Sequence, residues 1–455
     1  MIERRDISAR ELLDAHLRRI DEVNPRLNAI VTLDRERAER EADAADAVTA
    51  SGAPTAALHG LPMAHKDLAN TEGMRTTFGS PLFADNVPDF DDAHVARMRA
   101  AGGVTVGKTN TPEFGAGSQT FNEVFGATRN PWDDNRTCGG SSGGAAVALA
   151  TGMVAVADGS DMGGSLRNPA AFCGIVGLRP TPGRVGRWPV AAPWSPWGVM
   201  GPMGRSVADV RLLLDAMSGH EPRDPLSAGG GRSAPNRGAR RLGDLRIAVD
   251  VDLGGLPLHP DIRAATTTAV DTLADAGARL ESESIDLRDA GEVFQVMRTA
   301  AFESGYGTVY DTEPEALKDT VRWNVAEARR RPLADMGRAI AAQGRLHTAA
   351  TSFFERFDVL VTATTQVPPF DLETEWVTEI DGVEQPTYID WMRSCSDITV
   401  LGCPAVSVPA GFTEDGLPIG LQLVAGHAAE AHLLDVAELV EAAFGTAGLT
   451  RTWAP

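Results

Sequence analysis

Residues 137–144 read Thr-Cys-Gly-Gly-Ser-Ser-Gly-Gly, and residues 161–169 read Asp-Met-Gly-Gly-Ser-Leu-Arg-Asn-Pro. Each is a glycine loop carrying serine, and Ser141 and Ser165 stand 24 residues apart. Between them Gly144 to Ala150 predicts a helix and Val154 to Ala157 a strand. Glycines without Cβ atoms let backbone N–H groups turn toward a ligand. Successive amides from Met162 to Ser165 can then form a nest for a developing oxyanion, with Ser165 placed as a nucleophile. One such run alone reads as a flexible loop; a second, at this spacing, points to chemistry.

A serine alcohol needs a base. Nine histidines are available, and His65 sits beside Lys66, but a histidine triad of the α/β-hydrolase kind is not signalled. Lysine is a candidate because it is scarce: it occurs only at positions 66, 108 and 318, amid abundant arginine. Arginine meets most needs for positive charge but cannot lose a proton near neutrality. Bringing a lysine from about 10.4 to about 7 takes roughly 4–5 kcal/mol of differential stabilisation, and burial after the apolar Pro62-Met63-Ala64 pushes that way. His65 reads as a packing or hydrogen-bonding neighbour. Gly102 through Thr109 spell G-x-x-x-x-G-K-[ST], the phosphate-loop letters. A helix precedes them, a strand lies inside them and Pro112 follows, which argues against a nucleotide site and for a structural Lys108.

Further out, Ser8 to Glu11 fits a capping box opening a helix. Helices are expected at about 34–50, 91–101 and 260–277, and over most of 290–356. Strands are expected at 104–107, 245–249, 357–361, 406–409 and 421–424, and a loop or hinge at 219–243. Short apolar strands alternating with helices predict an α/β fold with a largely covered sheet. Trp194 and Trp197 flank Pro196 and read either as packing or as the wall of an apolar pocket.

With these residues in place, the chain resembles the amidase signature family. The likeness rests on residues 137–185, on Gly60-Leu-Pro-Met-Ala-His-Lys-Asp67, Val106-Gly-Lys-Thr-Asn110, Gly201-Pro-Met203 and Gly416-Leu-Pro-Ile-Gly-Leu-Gln422, and spans nearly the whole chain. It implies a single α/β/α domain over residues 1–455 around a large mixed sheet, with a core signature at about 60–205 and a helical lid or pocket region at about 285–356. It also implies a Ser-cisSer-Lys arrangement. Lys66 would be the general base, Ser141 the bridging serine after a cis peptide, and Ser165 the nucleophile. Met162, Gly163, Gly164 and Ser165 would form the oxyanion hole, and Gly115 would touch substrate. The implied reaction is acyl transfer to Ser165 and then to water, with no metal or organic cofactor. Cys138 and Ser160 depart from the family's usual Pro and Thr. Asn168 replaces the Gln common in glutaminase subunits of tRNA amidotransferases.

Composition sets limits. At 455 residues, 43% hydrophobic and 23% charged, the chain can bury a sizeable core. A formal net charge of −20 disfavours nucleic acid and anionic membranes as partners. Cys138, Cys173, Cys395 and Cys403 have neither zinc-knuckle nor disulfide-framework spacing. The expectation is a cytoplasmic enzyme acting on a small-molecule amide, with related esters or carbamates as variants. Its oligomeric state is open, a homodimer included. The rival readings are a glutaminase A-type subunit of a tRNA amidotransferase and, remotely, a nucleotide binder at 102–109.

Overall fold

A computed structural model describes residues 1–228 and 241–448. Its centre is an 11-stranded sheet. From one edge to the other the strands are Ile30–Leu33, Val104–Thr109, Pro62–Lys66, Val156–Asp161, Val199–Gly204, Val176–Arg179, Ala405–Phe412, Pro418–Val424, Val359–Ala363, Ile247–Val249 and Leu280–Ser282. The sheet is mixed. Pro62–Lys66 runs parallel to both of its neighbours, and Val156–Asp161 pairs antiparallel with Val199–Gly204.

Helices cover both faces. On one, Val207–Met217, Pro260–Asp275 and Glu430–Phe444 bury Val210, Leu213, Ile262, Leu273, Leu433 and Val440 against the sheet. On the other, Ala9–Leu27 and Gly143–Ala150 form a cluster with Leu13, Leu17, Val147 and Leu149. Beyond it, Ala290–Thr312, Leu333–Arg356 and Arg393–Val400 pack around Phe294, Phe353 and Trp391. Burial on this scale is the main stabilising term, at about 25 cal/mol per Å² of apolar surface.

The local signals explain several boundaries. Ser8 and Glu11 close the expected capping box: the Glu11 amide donates to Ser8 Oγ and the Ser8 amide to Glu11 Oε2. Four strands of this sheet escaped the sequence reading: Ile30–Leu33, Val176–Arg179, Val199–Gly204 and Leu280–Ser282. They are short or, like Val-Met-Gly-Pro-Met-Gly at 199–204, break strand propensity rules. Neighbouring strands supply what local preference does not. The loop expected at 219–243 falls partly on residues outside those described.

The helix Gly143–Ala150 is buried along its whole length. It lies so close to the first strands that a Cβ on Gly144 would sit 2.3 Å from the Asn110 amide nitrogen and 2.7 Å from the Ala29 carbonyl oxygen. Backbone on that side cannot yield cheaply. Gly144→Ala is therefore expected to destabilise the protein by about 1–3 kcal/mol, the usual cost of overpacking. A urea midpoint equal to that of wild type would show that this contact is not tight.

Candidate active site

Lys66 ends the central strand Pro62–Lys66, every residue of which is buried. Its ammonium group has no carboxylate in contact among the described residues. Instead Nζ donates to three hydroxyls: Ser141 Oγ at 2.7 Å, Ser142 Oγ at 2.9 Å and Ser160 Oγ at 3.0 Å. Burial drives the lysine pKa down to about 7, outweighing the opposing fields of Asp161 and Asp158. The backbone beneath is held by Asp158, whose Oδ1 accepts the Lys66 amide at 2.8 Å and whose Oδ2 accepts His65 Nδ1–H at 2.5 Å. Burial acts to raise the Asp158 pKa, but His65 and His94 more than offset it and the carboxylate stays below its ordinary range.

Ser141 follows a cis peptide, Gly140–Ser141. Ser118 Oγ donates to the Gly140 carbonyl at 2.9 Å, and Asn168 Nδ2 donates to Ser118 Oγ at 2.8 Å. The departure at Asn168 thus lands in the brace behind this loop. Residues 139–143 also spell G-x-S-x-G, but no strand leads into Ser141 and its partner is an amine, so the letters do not make a nucleophile elbow.

Ser165 lies in the turn between the strand Val156–Asp161 and the helix Arg167–Cys173. Asp161 organises that turn. Its Oδ1 accepts the Gly164 amide at 2.9 Å, and its Oδ2 accepts the Leu166 amide at 3.1 Å and Arg167 Nε at 3.1 Å. Burial would raise the Asp161 pKa, but Arg167 and Arg179, both fully buried, hold it well below the usual carboxylate range. Gly164 adopts φ +117°, and a Cβ there would meet Cys395 Cβ at 2.6 Å, so only glycine fits. Because its amide is committed to Asp161, the expected donor set of Met162, Gly163, Gly164 and Ser165 narrows to Met162, Gly163 and Ser165.

Ser141, Ser160, Met162 and Ser165 border one cavity of about 300 Å³. Ser141 and Ser165 share this space, and the described residues show no direct hydrogen bond between the two hydroxyls. Gly115 also borders it; a Cβ there would lie 3.4 Å from Ser141 Oγ. The arrangement brings a linking hydroxyl, a second hydroxyl and unclaimed amides to one wall, with a neutralisable amine bonded to the first hydroxyl, the parts needed for acyl transfer.

The structure decides between the readings left open for the tryptophans and agrees with a structural Lys108. Trp197 is buried in the core and Trp194 is 75% exposed; neither borders the cavity, which Trp188 does. Lys108 lies within the strand Val104–Thr109 with its ammonium buried, donating to the Ala69 carbonyl and to Thr71 Oγ1. The 102–109 segment is therefore sheet, and it forms no phosphate cradle opening a helix. Sequence reasoning missed Ser142, Asp158, Asp92, His94, Arg187 and Arg298. Asp92 and His94 border the cavity, and burial moves them in opposite senses, Asp92 up to about 7 and His94 down to about 4. Only an alternating search for polar residues inside apolar strands would have flagged Asp158.

A pH test follows from Lys66. The folded chain gives up its proton near pH 7, the unfolded chain near 10.5. Between those values the unfolded state holds the extra proton, so stability rises with pH; below about 7 the cost of burying the ammonium is complete. Lys66→Met should accordingly raise the melting temperature most at pH 6 and lose that advantage as pH approaches 10. Equal gains at pH 6 and pH 10 in calorimetry would contradict a depressed lysine.

The Amidase family profile matches residues 11–434. Among curated proteins, the chain is 35% identical to an acylamidase of Rhodococcus erythropolis over 446 residues, covering 96% of this chain and 92% of that one. It is 36% identical to the A-type subunit of the glutamyl-tRNA(Gln) amidotransferase of Chromohalobacter salexigens, covering 95% and 92%. Among solved structures, a bacterial aryl acylamidase of the amidase signature enzymes superposes with a TM-score of 0.88 at 26% identity, covering 98% and 96%. A profile match over most of the chain, full-length relatives and the shared 11-stranded fold give one answer: this chain belongs to the amidase signature family, hydrolases acting on carbon–nitrogen bonds.

Proposed function

We propose that the protein is an amidase that hydrolyses small or aryl amides through an acyl-enzyme on Ser165. The observation that carries this reading is the buried Lys66 amine, 2.7 Å from the Oγ of Ser141, which borders the same cavity as Ser165. In its neutral form Lys66 accepts a proton from Ser141, which takes one from Ser165 as Ser165 attacks the carbonyl. The oxyanion rests on the amides of Met162, Gly163 and Ser165. The lysine then returns its proton through Ser141 to the departing amine. Water enters by the same relay in reverse, releasing the acid. No step calls on a metal or organic cofactor. The helical region at about 285–356 is read as the pocket-forming part, because Phe302 and Tyr306 of the helix Ala290–Thr312 border the cavity.

The acylamidase relative and the aryl acylamidase structure support a stand-alone enzyme. Similarity of equal degree to the amidotransferase relative supports a second reading, a glutaminase that works with partner chains. Ammonia release from glutamine by the isolated chain, set against turnover of simple anilides, separates the two.

A fluorophosphonate probe followed by peptide mapping should place one adduct on Ser165, with a labelling rate that rises with pH through about 7. Ser165→Ala should lower kcat at least about a thousandfold. Lys66→Arg, which stays protonated, should lower it at least about a hundredfold. Adduct formation on another residue, or a Lys66→Arg enzyme near wild-type activity, would move the chemistry elsewhere.

A further inference from the structure

The cavity has two unlike sides. Toward the open side lie Trp188, Pro189 and Val190, the last two exposed. Toward the inner side stands Arg298 of the helix Ala290–Thr312, only 4% exposed. Its guanidinium has no ion-pair partner among the described residues. Nε and Nη2 both donate to the single phenol oxygen of Tyr388, at 3.2 and 2.7 Å. Nη1 finds only the thioether of Met162, Sδ at 3.4 Å, a weak acceptor. Phe302 stacks beneath, its ring centroid 4.6 Å from the guanidinium carbon.

A buried, permanently charged group without a counter-charge is costly. The two fully buried arginines keep the rule. Arg167 and Arg179, equally buried, meet Asp161 at 3.0 and 3.5 Å. That engagement also ties up the Asp161 carboxylate, which borders the same cavity. Arg187, the other guanidinium on the wall, donates to the Ser195 carbonyl at 2.5 Å and is less enclosed. Of the two guanidiniums on this wall without an ion pair among the described residues, Arg298 is the more deeply buried, and it touches Met162, the first residue of the loop that carries Ser165.

Resting on the amidase reading above, we propose that Arg298 binds a carboxylate on the acyl portion of the substrate, so that the preferred substrates are monoamides of short dicarboxylic acids. The acyl portion is assigned because the amine must escape by the open side before water enters, while the inner side keeps the part that stays on Ser165. A planar carboxylate suits the guanidinium fork, and in a water-poor pocket such a pair discriminates strongly against an uncharged isostere.

The test uses the full chain and two pairs of p-nitroanilides of matched shape, succinyl against 4-methylpentanoyl and glutaryl against 5-methylhexanoyl. In wild type, kcat/KM should favour the acid of at least one pair by about tenfold or more, and Arg298→Gln should cut that ratio by about tenfold or more. Arg298→Lys should fall between, and Arg187→Gln should leave the ratio within about threefold, the spread expected of a residue off the subsite. A wild-type preference for both neutral anilides overturns the proposal and leaves the amidase reading standing. A ratio lost in Arg187→Gln but kept in Arg298→Gln overturns the assignment. Calorimetric titration of wild type and Arg298→Gln with succinate and glutarate covers the remaining cases. If no anilide is cleaved, the amidase reading fails, and saturable binding to wild type that is lost in Arg298→Gln still upholds the anion site. Absence of binding refutes it. Should Arg298→Gln not fold, the wild-type ratio and the Arg298→Lys titration decide.

Discussion

Burying one ammonium group among hydroxyls, with no carboxylate in contact, is the constraint on which this structure turns. Among the described residues Lys66 Nζ bonds to Ser141, Ser142 and Ser160, so its charged form is poorly solvated and its pKa falls to about 7. A carboxylate among those partners would have restored the charge and made the amine useless as a base. The sheet enforces the exclusion: Lys66 ends a strand with a parallel neighbour on each side, and the buried helix Gly143–Ala150 closes over it. Lys108, also fully buried, shows the alternative. Burial lowers its pKa as well, against the pull of Asp67, but it donates to a carbonyl and a hydroxyl away from the cavity and has no serine relay among the described residues.

Negative charge is present near the lysine, but it is already engaged. Asp158 accepts a backbone amide and the His65 ring; Asp161 accepts two backbone amides and faces two buried arginines. Both carboxylates fix backbone and leave the hydroxyls of Ser141 and Ser165 free of direct contact with a carboxylate among the described residues. The Asp161 network has a further consequence, since it holds the turn from Met162 to Ser165 in one shape before any substrate arrives. Preorganised donors of this kind need no rearrangement when charge develops on a carbonyl oxygen.

The cavity wall distributes work between elements distant in sequence. The central strands and their loops bring Lys66, Ser141 and Ser165. The helix Ala290–Thr312 brings Arg298, Phe302 and Tyr306, and the segment around the cis Trp188–Pro189 bond brings Arg187 and Trp188. Rigid sheet positions thus carry the chemistry common to the family, while peripheral segments carry whatever sets one member's substrate apart.

The sequence alone determined the α/β class, the capping box at Ser8, the two serine loops and the rarity of lysine. These are written in local spacing and composition, which act through backbone preference and periodicity. It also separated Lys66 from Lys108 by motif context. What only the tertiary structure decided is which polar groups meet. Ser142, Ser160, Asp158 and Arg298 look ordinary in the chain because their partners lie 76, 94, 92 and 90 residues away. Trp188 rather than Trp194 or Trp197 reached the cavity, and the amide of Gly164 turned to Asp161 rather than to the open space. Strands such as Val199–Gly204 exist because their neighbours pair with them. In each case the energy of a residue depends on burial and on the charge of groups brought near by the sheet, and neither quantity exists until the chain has folded.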